Sequence, residues 1–312
     1  MDRYFIRDVI RLVKKKGERK NKAVAQPVAQ PVEQPVAQHN DAFFSGILHP
    51  SAFVHSGTLC DIIYSLLFIQ QHSDKKTIIY ILKDSQEIAG DLYIKTHIGG
   101  GKMMTQQMFN FIKPLIIAQP YIRDVIFEAE ACINYNTTTN LDYFRHCKIN
   151  TSAGEIRDWY GKAFGVSLDI TPKFLFVDKS QKYDFLENAI LISRTQRYNN
   201  DAIDYSILNN FENVYFMGLE NEFNVFAEQF KLDKIKHISI DNALDAAFAI
   251  NSCKVFIANQ TFFMAIAEGL KKPNRCLEVF ELTPNVLPIG SQTLAFLKTE
   301  HLHRYIESIF NS

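Results

Sequence analysis

Apolar and polar positions follow three different periods along the chain, and each period calls for a different structure. Over residues 1–16, Phe5, Ile6, Val9, Ile10, Leu12 and Val13 recur at helical spacing, while Arg3, Arg7, Arg11 and Lys14 line another face. This predicts an amphipathic helix that stops near Gly17. Residues 24–38 repeat a tetrapeptide: Val24-Ala-Gln-Pro27, Val28-Ala-Gln-Pro31, Val32-Glu-Gln-Pro35, then Val36-Ala-Gln38. Proline at every fourth position removes backbone donors that a helix or a sheet needs, so the repeat predicts an extended spacer rising ~3.1 Å per residue. From residue 42 onward, short runs of Ile, Val, Phe and Tyr alternate with longer segments of helical period. Strands are expected at 53–54, 77–82, 92–94 and 121–127, with helices at 61–71 and 106–118. A second series follows, with strands at 174–177, 189–193, 213–217, 235–240, 254–258 and 275–279 and helices at 201–211, 222–230, 243–252, 262–270 and 293–310. The polar stretch 136–171 between the two series reads as helical.

This βαβα order predicts an α/β fold of two Rossmann-like domains, each a parallel sheet covered by helices, facing each other across a cleft. The expected divisions are a basic amphipathic helix at 1–22, a linker at 23–40, and domains at 41–170 and 171–312. Length agrees, since 312 residues hold about two domains of 100–200 residues each. A content of 47% hydrophobic and 22% charged residues is enough for a core in each domain.

Charge changes the picture only at the amino end. With 34 basic and 34 acidic residues the chain is neutral, which excludes a chain-wide nucleic-acid surface. Residues 1–22 carry nine Lys/Arg against three Asp/Glu, a net of +6, and the remainder carries −6. A basic amphipathic helix suits an anionic membrane surface or a partner protein, and the pattern leaves both open. The five cysteines, Cys60, Cys132, Cys147, Cys253 and Cys276, are odd in number and form no CxxC. That argues against a disulfide framework or a zinc site and for a reducing, cytoplasmic setting, on the inner membrane face if the head binds lipid. No apolar run approaches the roughly 18 residues needed to span a bilayer.

Ligands of doubly wound sheets sit at the carboxyl ends of the strands, so the candidates for chemistry are residues that follow strands. His55-Ser56-Gly57-Thr58-Leu59-Cys60-Asp61 runs from a strand into a helix, with a small turn that exposes backbone amides. Asp61 is a candidate general base there, although an aspartate in a first helical turn equally caps its helix. Ser193-Arg194-Thr195-Gln196-Arg197 ends another strand, and two arginines three apart suit phosphate oxygens. Asn259-Gln260-Thr261 opens a helix, as a diphosphate site or as an N-cap. Gly218-Leu219-Glu220 is either a nucleoside contact or an acidic helix start. Glu268 and Glu278 are isolated carboxylates near the same cleft, and Glu268, inside an apolar helix, is either exposed or aimed at a ligand hydroxyl. Gly99-Gly100-Gly101-Lys102 lacks the spacing and the Ser/Thr of a Walker loop and reads as an ordinary mobile loop. His146-Cys147 with Cys132 lacks metal-ligand spacing, no Asp-x-Asp occurs, and His72, His237, His301 and His303 read as surface residues.

Two of these segments resemble a family. His55-Ser-Gly-Thr-Leu-Cys-Asp-Ile-Ile-Tyr-Ser-Leu-Leu67 is similar to the amino-terminal signature of ADP-heptose:lipopolysaccharide heptosyltransferases, glycosyltransferase family 9. Lys254-Val-Phe-Ile-Ala-Asn-Gln-Thr-Phe-Phe-Met-Ala-Ile-Ala-Glu-Gly-Leu-Lys-Lys-Pro273 is similar to that family's donor-phosphate strand and helix. The resemblance covers roughly residues 47–300 and implies the two-Rossmann GT-B fold, with inverting, metal-independent sugar transfer from a nucleotide-sugar donor to a glycan or lipid-linked acceptor and no further cofactor. It implies Asp61 as catalytic residue and His55, Ser56, Gly57 and Thr58 as an acceptor-side loop. Arg194, Arg197, Asn259, Gln260 and Thr261 would hold the donor phosphates, and Gly218, Glu220 and Glu278 the nucleoside. Cys60 stands where the family has glycine, Asn259 where an acidic residue is common, Thr261 for glycine and Met264 for histidine. These departures point to a divergent member. The alternative they carry is a catalytically inactive nucleotide- or glycan-binding scaffold.

Overall fold

Short apolar runs without polar alternation, such as Val214–Met217 and Val255–Ala258, are the mark of strands covered on both faces, and the second half of the chain is built on strands so covered. The computed structural model describes residues 46–73, 79–83, 101–150, 154–178, 180–181 and 183–311. The expected helix at 1–16, the repeat at 24–38, the strand at 92–94 and Gly99-Gly100 lie outside the described residues. Strands β5 (Ile190–Ser193), β6 (Val214–Met217), β8 (Val255–Ala258) and β9 (Arg275–Glu278) are buried at every position. The edge strands β7 (Lys236–Ile238) and β10 (Thr293–Phe296) are only partly covered. All six are parallel, in the order β10-β9-β8-β5-β6-β7. The order is that of a doubly wound nucleotide-binding sheet, and it reverses direction between β5 and β8.

The first half repeats the plan on a smaller scale. Strands β1 (Ala52–His55), β2 (Ile79–Lys83), β3 (Asp124–Glu128) and β4 (Thr139–Asn140) form a parallel sheet in the order β3-β2-β1-β4. Its reversal falls between β1 and β4. Helix α1 (Leu59–His72) follows β1, α2 (Gln106–Ile117) leads into β3, and α3 (Ile156–Phe164) follows β4. The second sheet carries α4 (Glu220–Phe230), α5 (Ala243–Ser252), α6 (Phe262–Gly269) and α7 (Thr299–Phe310).

Helix α1 has no polar face in its middle, since every residue from Ile62 to Ile69 is buried. A helix that is apolar all round has to be covered all round. Its own sheet covers one side, and α3 and α6 cover the others. Along α6, Ala265, Ala267 and Gly269 keep the surface small enough for close approach. One apolar core therefore runs through both lobes without a break. An ion cluster around the fully buried Glu268 reinforces it: Glu268 on α6 accepts from Arg157 on α3 at 2.6 Å, from Arg275 on β9 at 2.7 Å and from the partly exposed Lys271 at 2.5 Å. Arg157 also pairs with Glu155 and donates to the Leu287 carbonyl. Glu268, expected to be exposed or aimed at a ligand, is instead an internal counterion joining the lobes.

Other differences from the expected elements have equally local reasons. Residues 174–177 join no sheet; the Phe174 and Leu175 amides both donate to the Gly269 carbonyl, and Tyr121 and Gln119 hold the Phe174 carbonyl and the Phe176 amide. A Cβ at Gly269 would lie 2.7 Å from Leu175, so this crossing segment lies directly on α6. The expected helix 201–211 is a short 3₁₀ segment, Tyr205–Asn210, and residues 293–310 divide into β10 and α7. The stretch 136–171 holds the short strand β4, the 3₁₀ turn Leu141–Arg145 and α3.

Removing one partner of a buried ion cluster leaves the others uncompensated, at a cost of about 3–5 kcal/mol. Glu268→Gln is expected to lower urea stability by about that amount. Fluorescence of the single tryptophan, Trp159, should unfold together with the far-UV dichroism, because both lobes share one core. A loss below about 1 kcal/mol, in the range of exposed pairs, would remove Glu268 as the inter-lobe clamp.

Candidate active site at the carboxyl edges of the two sheets

The reversal of the first sheet gathers ionisable side chains from β1, α1, α3 and the turn after β4. Thr58 and Asp61 form a reciprocal cap on α1: the Asp61 amide approaches Thr58 Oγ1 at 3.4 Å, and the Thr58 amide donates to Asp61 Oδ2 at 2.9 Å. The Thr58 hydroxyl (3.1 Å) and Arg145 Nη2 (2.7 Å) meet the same oxygen. Oδ1 of Asp61 carries no hydrogen bond among the described residues, and the side chain keeps 13% exposure. Arg145 forks, and its Nη1 donates to Asp142 Oδ1 at 2.7 Å. Asp142 also takes the Ser56 amide and hydroxyl and lies 2.7 Å from His55 Nδ1. His55 Nε2 is 2.8 Å from the Tyr160 hydroxyl, which donates to the Asp61 main-chain carbonyl. Burial works against ionisation of Asp142, but His55, Arg145 and Ser56 overcome it and hold its carboxyl well below the usual carboxylate range. At the ends of β2 and β3, Lys83 donates to Glu130 at 2.5 Å and to the Tyr135 hydroxyl at 2.9 Å.

In the second sheet the reversal lies between β5 and β8, and Asn259 stitches the loops that leave them. Its Oδ1 accepts from the Thr195 amide, and its Nδ2 donates to the carbonyls of Thr195 and Arg197. Gln260 is tied to the 280–285 loop through the Thr283 carbonyl and the Phe280 amide. Thr261 is the N-cap residue of α6 but makes no side-chain cap, and its hydroxyl is buried without a hydrogen-bond partner among the described residues. The amides of Phe262, Phe263 and Met264 have no intrahelical acceptor, as at any helix start. Free amides, an aligned helix dipole and an unsatisfied buried hydroxyl at a sheet reversal suit an anion.

The two edges sense each other electrostatically. The Arg197 charge reaches Cys60 and Glu222, and the Asp61 charge reaches Tyr198. Burial pushes the Cys60 thiol up, the Asp61 charge adds to this, and Arg197 opposes it. Tyr198 holds φ +56°, a left-handed conformation costly for a bulky side chain, and packs edge-on against Phe280 at 5.5 Å. Phe111 on α2 lies 5.9 Å from Phe262 at the start of α6, so the first lobe abuts the unsatisfied helix terminus.

Tertiary contacts reassign several of the expected roles. Glu278, expected at a nucleoside, is fully buried and accepts from Arg194 Nε and Nη2, the Asn200 amide and the Tyr205 hydroxyl. Its oxygens are occupied from within, so it holds the β5 loop to β9. Arg194, expected on phosphate, is its ion-pair partner. Asn259 and Gln260 likewise use their side chains on neighbouring loops, Asn259 on the one after β5 and Gln260 on the one after β9. Gly57, expected to expose backbone to a ligand, makes room instead: a Cβ there would lie 2.6 Å from the His55 ring and 2.8 Å from Arg145 Nη2. Arg197 and Thr261 stay at the edge facing the first lobe. The Gly218 carbonyl accepts from His237 Nε2 at 2.8 Å, with His237 half-buried on the edge strand β7, and Glu220 is exposed beside it. Asp142, Arg145, Tyr160 and Lys83 were not singled out by sequence. The first three lie in the polar stretch 136–171, whose weak periodicity was itself the signal. Among the described residues no group of three or more His, Cys, Asp or Glu is placed to hold a metal ion, all five cysteines are free, and no helix is long and apolar enough to cross a membrane.

No family model matches the chain, and no curated protein matches it in sequence. Solved structures do. The fold is similar to that of a family 9 glycosyl transferase from Veillonella parvula DSM 2008, with a TM-score of 0.53 and 10% identity, over 86% of this chain and 92% of that one. It is also similar to the E. coli ADP-heptose lps heptosyltransferase II, with a TM-score of 0.51 and 11% identity, over 84% of this chain and 98% of that one. The chain thus has a glycosyltransferase-like fold of two parallel α/β lobes, of the GT-B kind.

The depressed Asp142 carboxyl has a pH signature. A group ionised more readily in the folded state contributes stability at pH values above its unfolded pKa of about 3.9, and that contribution fades as the pH falls towards the lower folded value. Asp142→Asn is therefore expected to be less stable than the parent at neutral pH, with the gap closing as pH falls from about 5 towards 2. Urea midpoints across that range measure it. A gap constant with pH would show that ionised Asp142 is not what holds the edge together.

Proposed function

We propose that the chain is an inverting, metal-independent glycosyltransferase that moves a sugar from a nucleotide-sugar donor to a glycan or glycolipid acceptor. One observation carries this reading. A carboxylate with one oxygen fixed and the other without a partner among the described residues stands at the reversal of the first sheet, and the first lobe abuts the helix start at the reversal of the second, where amides are unpaired. The likeness of fold to the two glycosyltransferases supports it.

In this mechanism the donor diphosphate lies against the first turn of α6, with the Thr261 hydroxyl and Arg197 beside it. The acceptor enters over the His55–Thr58 loop. Its hydroxyl attacks the anomeric carbon as Asp61 Oδ1 takes the proton. The bond from that carbon to the diphosphate oxygen breaks, and the electron pair leaves with the nucleotide. Charge growing on the leaving group is met by the α6 dipole, its amides and Arg197, so the stabilisation is electrostatic and set in advance. Glu220 and Gly218, at the end of β6, border the nucleoside. Arg194 and Glu278 keep the β5 loop in place and touch neither substrate. Residues 1–22 would bring the unit to an anionic membrane surface or a partner, which fits a lipid-linked acceptor at the cytoplasmic face.

A thermal-shift screen with ADP-, UDP-, GDP- and CMP-sugars identifies the donor, because a ligand bound only by the folded state raises its melting temperature. Asp61→Asn should then lose about 10²–10⁴-fold in transfer rate while keeping nucleotide affinity within about threefold. Near-normal transfer by Asp61→Asn would remove it as the base. Tight nucleotide or glycan binding by the parent chain without transfer would favour the scaffold reading, which draws on the internal engagement of Arg194, Asn259 and Gln260.

A further inference from the structure

We propose that Arg145 is the positioning residue of Asp61, holding one carboxylate oxygen so that the other is presented to the acceptor hydroxyl; the role rests on the transfer reading above. Its guanidinium is restrained on three sides. Nη2 meets Asp61 Oδ2 and Nη1 meets Asp142 Oδ1, each at 2.7 Å, and the plane lies 4.4 Å from the centre of the Phe144 ring. Asp142 is itself anchored to β1 through His55 and Ser56, so the fork is fixed to the sheet and not to a mobile side chain. Gly57 supplies an independent observation: a Cβ there would reach 2.8 Å from Nη2 and 2.8 Å from the Asp61 Cβ, so the pair forms only across a residue without a side chain.

The arrangement does what a helix cap alone cannot. Thr58 bonds Asp61 Oδ2 from within the helix turn, and Arg145 meets the same oxygen from the sheet side. Bonds from both sides stop the carboxylate from rotating, and Oδ1 is left without a partner among the described residues. A planar, forked cation can bridge Asp61 and Asp142 at once, whereas a lysine ammonium is a point charge on a flexible stem. A displacement of about 1 Å in a reacting group costs on the order of 10²-fold in rate, so losing the fork should show in turnover more than in affinity.

The test uses the full chain, its Arg145→Ala and Arg145→Lys variants, and nucleotide release from a panel of ADP-, UDP- and GDP-sugars with acceptor. Arg145→Ala is expected to lower kcat about 10²-fold with donor KM within about threefold. Millimolar guanidinium should restore about tenfold of the loss where ammonium does not, since Arg145 is a quarter exposed and the vacated site is planar and forked. Arg145→Lys, which keeps the charge, should recover only a small part. In thermal unfolding, Asp61→Asn and Arg145→Ala should be non-additive, which reads the pair without reference to activity. Unchanged kcat in Arg145→Ala, a raised KM alone, equal rescue by ammonium, or additive unfolding would each overturn the proposal while leaving the transfer reading intact. Silence from the parent chain on the whole panel would instead strike the transfer reading and the positioning role with it.

Discussion

The middle of helix α1 has no surface to give to water. From Ile62 to Ile69 every residue is buried, and a single sheet can cover only one side of it, so the second lobe has to supply the rest through α6. Each of these helices starts at the carboxyl edge of its own sheet. Packing them together therefore brings two helix starts, one capped by Thr58 and the other without a side-chain cap, towards one region of the molecule. The buried Glu268 cluster acts on the same junction, joining α3, α6 and β9. The inter-lobe packing is thus also what places Asp61 within electrostatic reach of Tyr198, and Arg197 within reach of Cys60.

A core continuous through both lobes has a dynamic consequence. Lobes joined by small polar interfaces swing freely, while a large apolar junction resists hinge motion. Here the junction is apolar, with a buried ion cluster at its side. The loops after β1, β5 and β9, the first leading into Asp61 and the others carrying Arg197 and Phe280 near the two sheet edges, are less constrained by that junction than the helices are. The left-handed Tyr198 against Phe280 is where the fold stores local backbone strain at the second of these edges.

Burial divides the charged residues into two groups with different work. Arg194 with Glu278, and Arg157 and Arg275 with Glu268, are desolvated pairs whose polar atoms face inward and fix loops to strands. Asp61, Arg145 and Arg197 keep some exposure, and Arg145 uses its guanidinium to hold Asp61 and Asp142. Asn259 belongs with the first group although it sits at the sheet reversal, because a neutral amide can donate to two carbonyls and accept from an amide where a carboxylate could only accept. In this chain Asn259 therefore serves to lock the β5 loop, and what the edge leaves without intrahelical acceptors is the main chain at the start of α6.

From sequence alone, period and composition determined the parallel α/β lobes, most of their strands and helices, though not β4, β10 or the crossing segment 174–177, and the place of Asp61, Arg197 and Thr261 just beyond strand ends. These follow from neighbours a few residues apart, which is the range over which apolar spacing and helix capping act. Which charges are paired was decided only by the tertiary structure. Arg145 meets Asp61 across 84 residues, Arg194 meets Glu278 across 84, and Arg157 meets Glu268 across 111. No local pattern encodes a partner at such distances. A carboxylate in an apolar helix looks the same on the page whether it faces a ligand or a buried guanidinium, and desolvation by the packed fold is what tells Glu268 and Glu278 apart from Asp61.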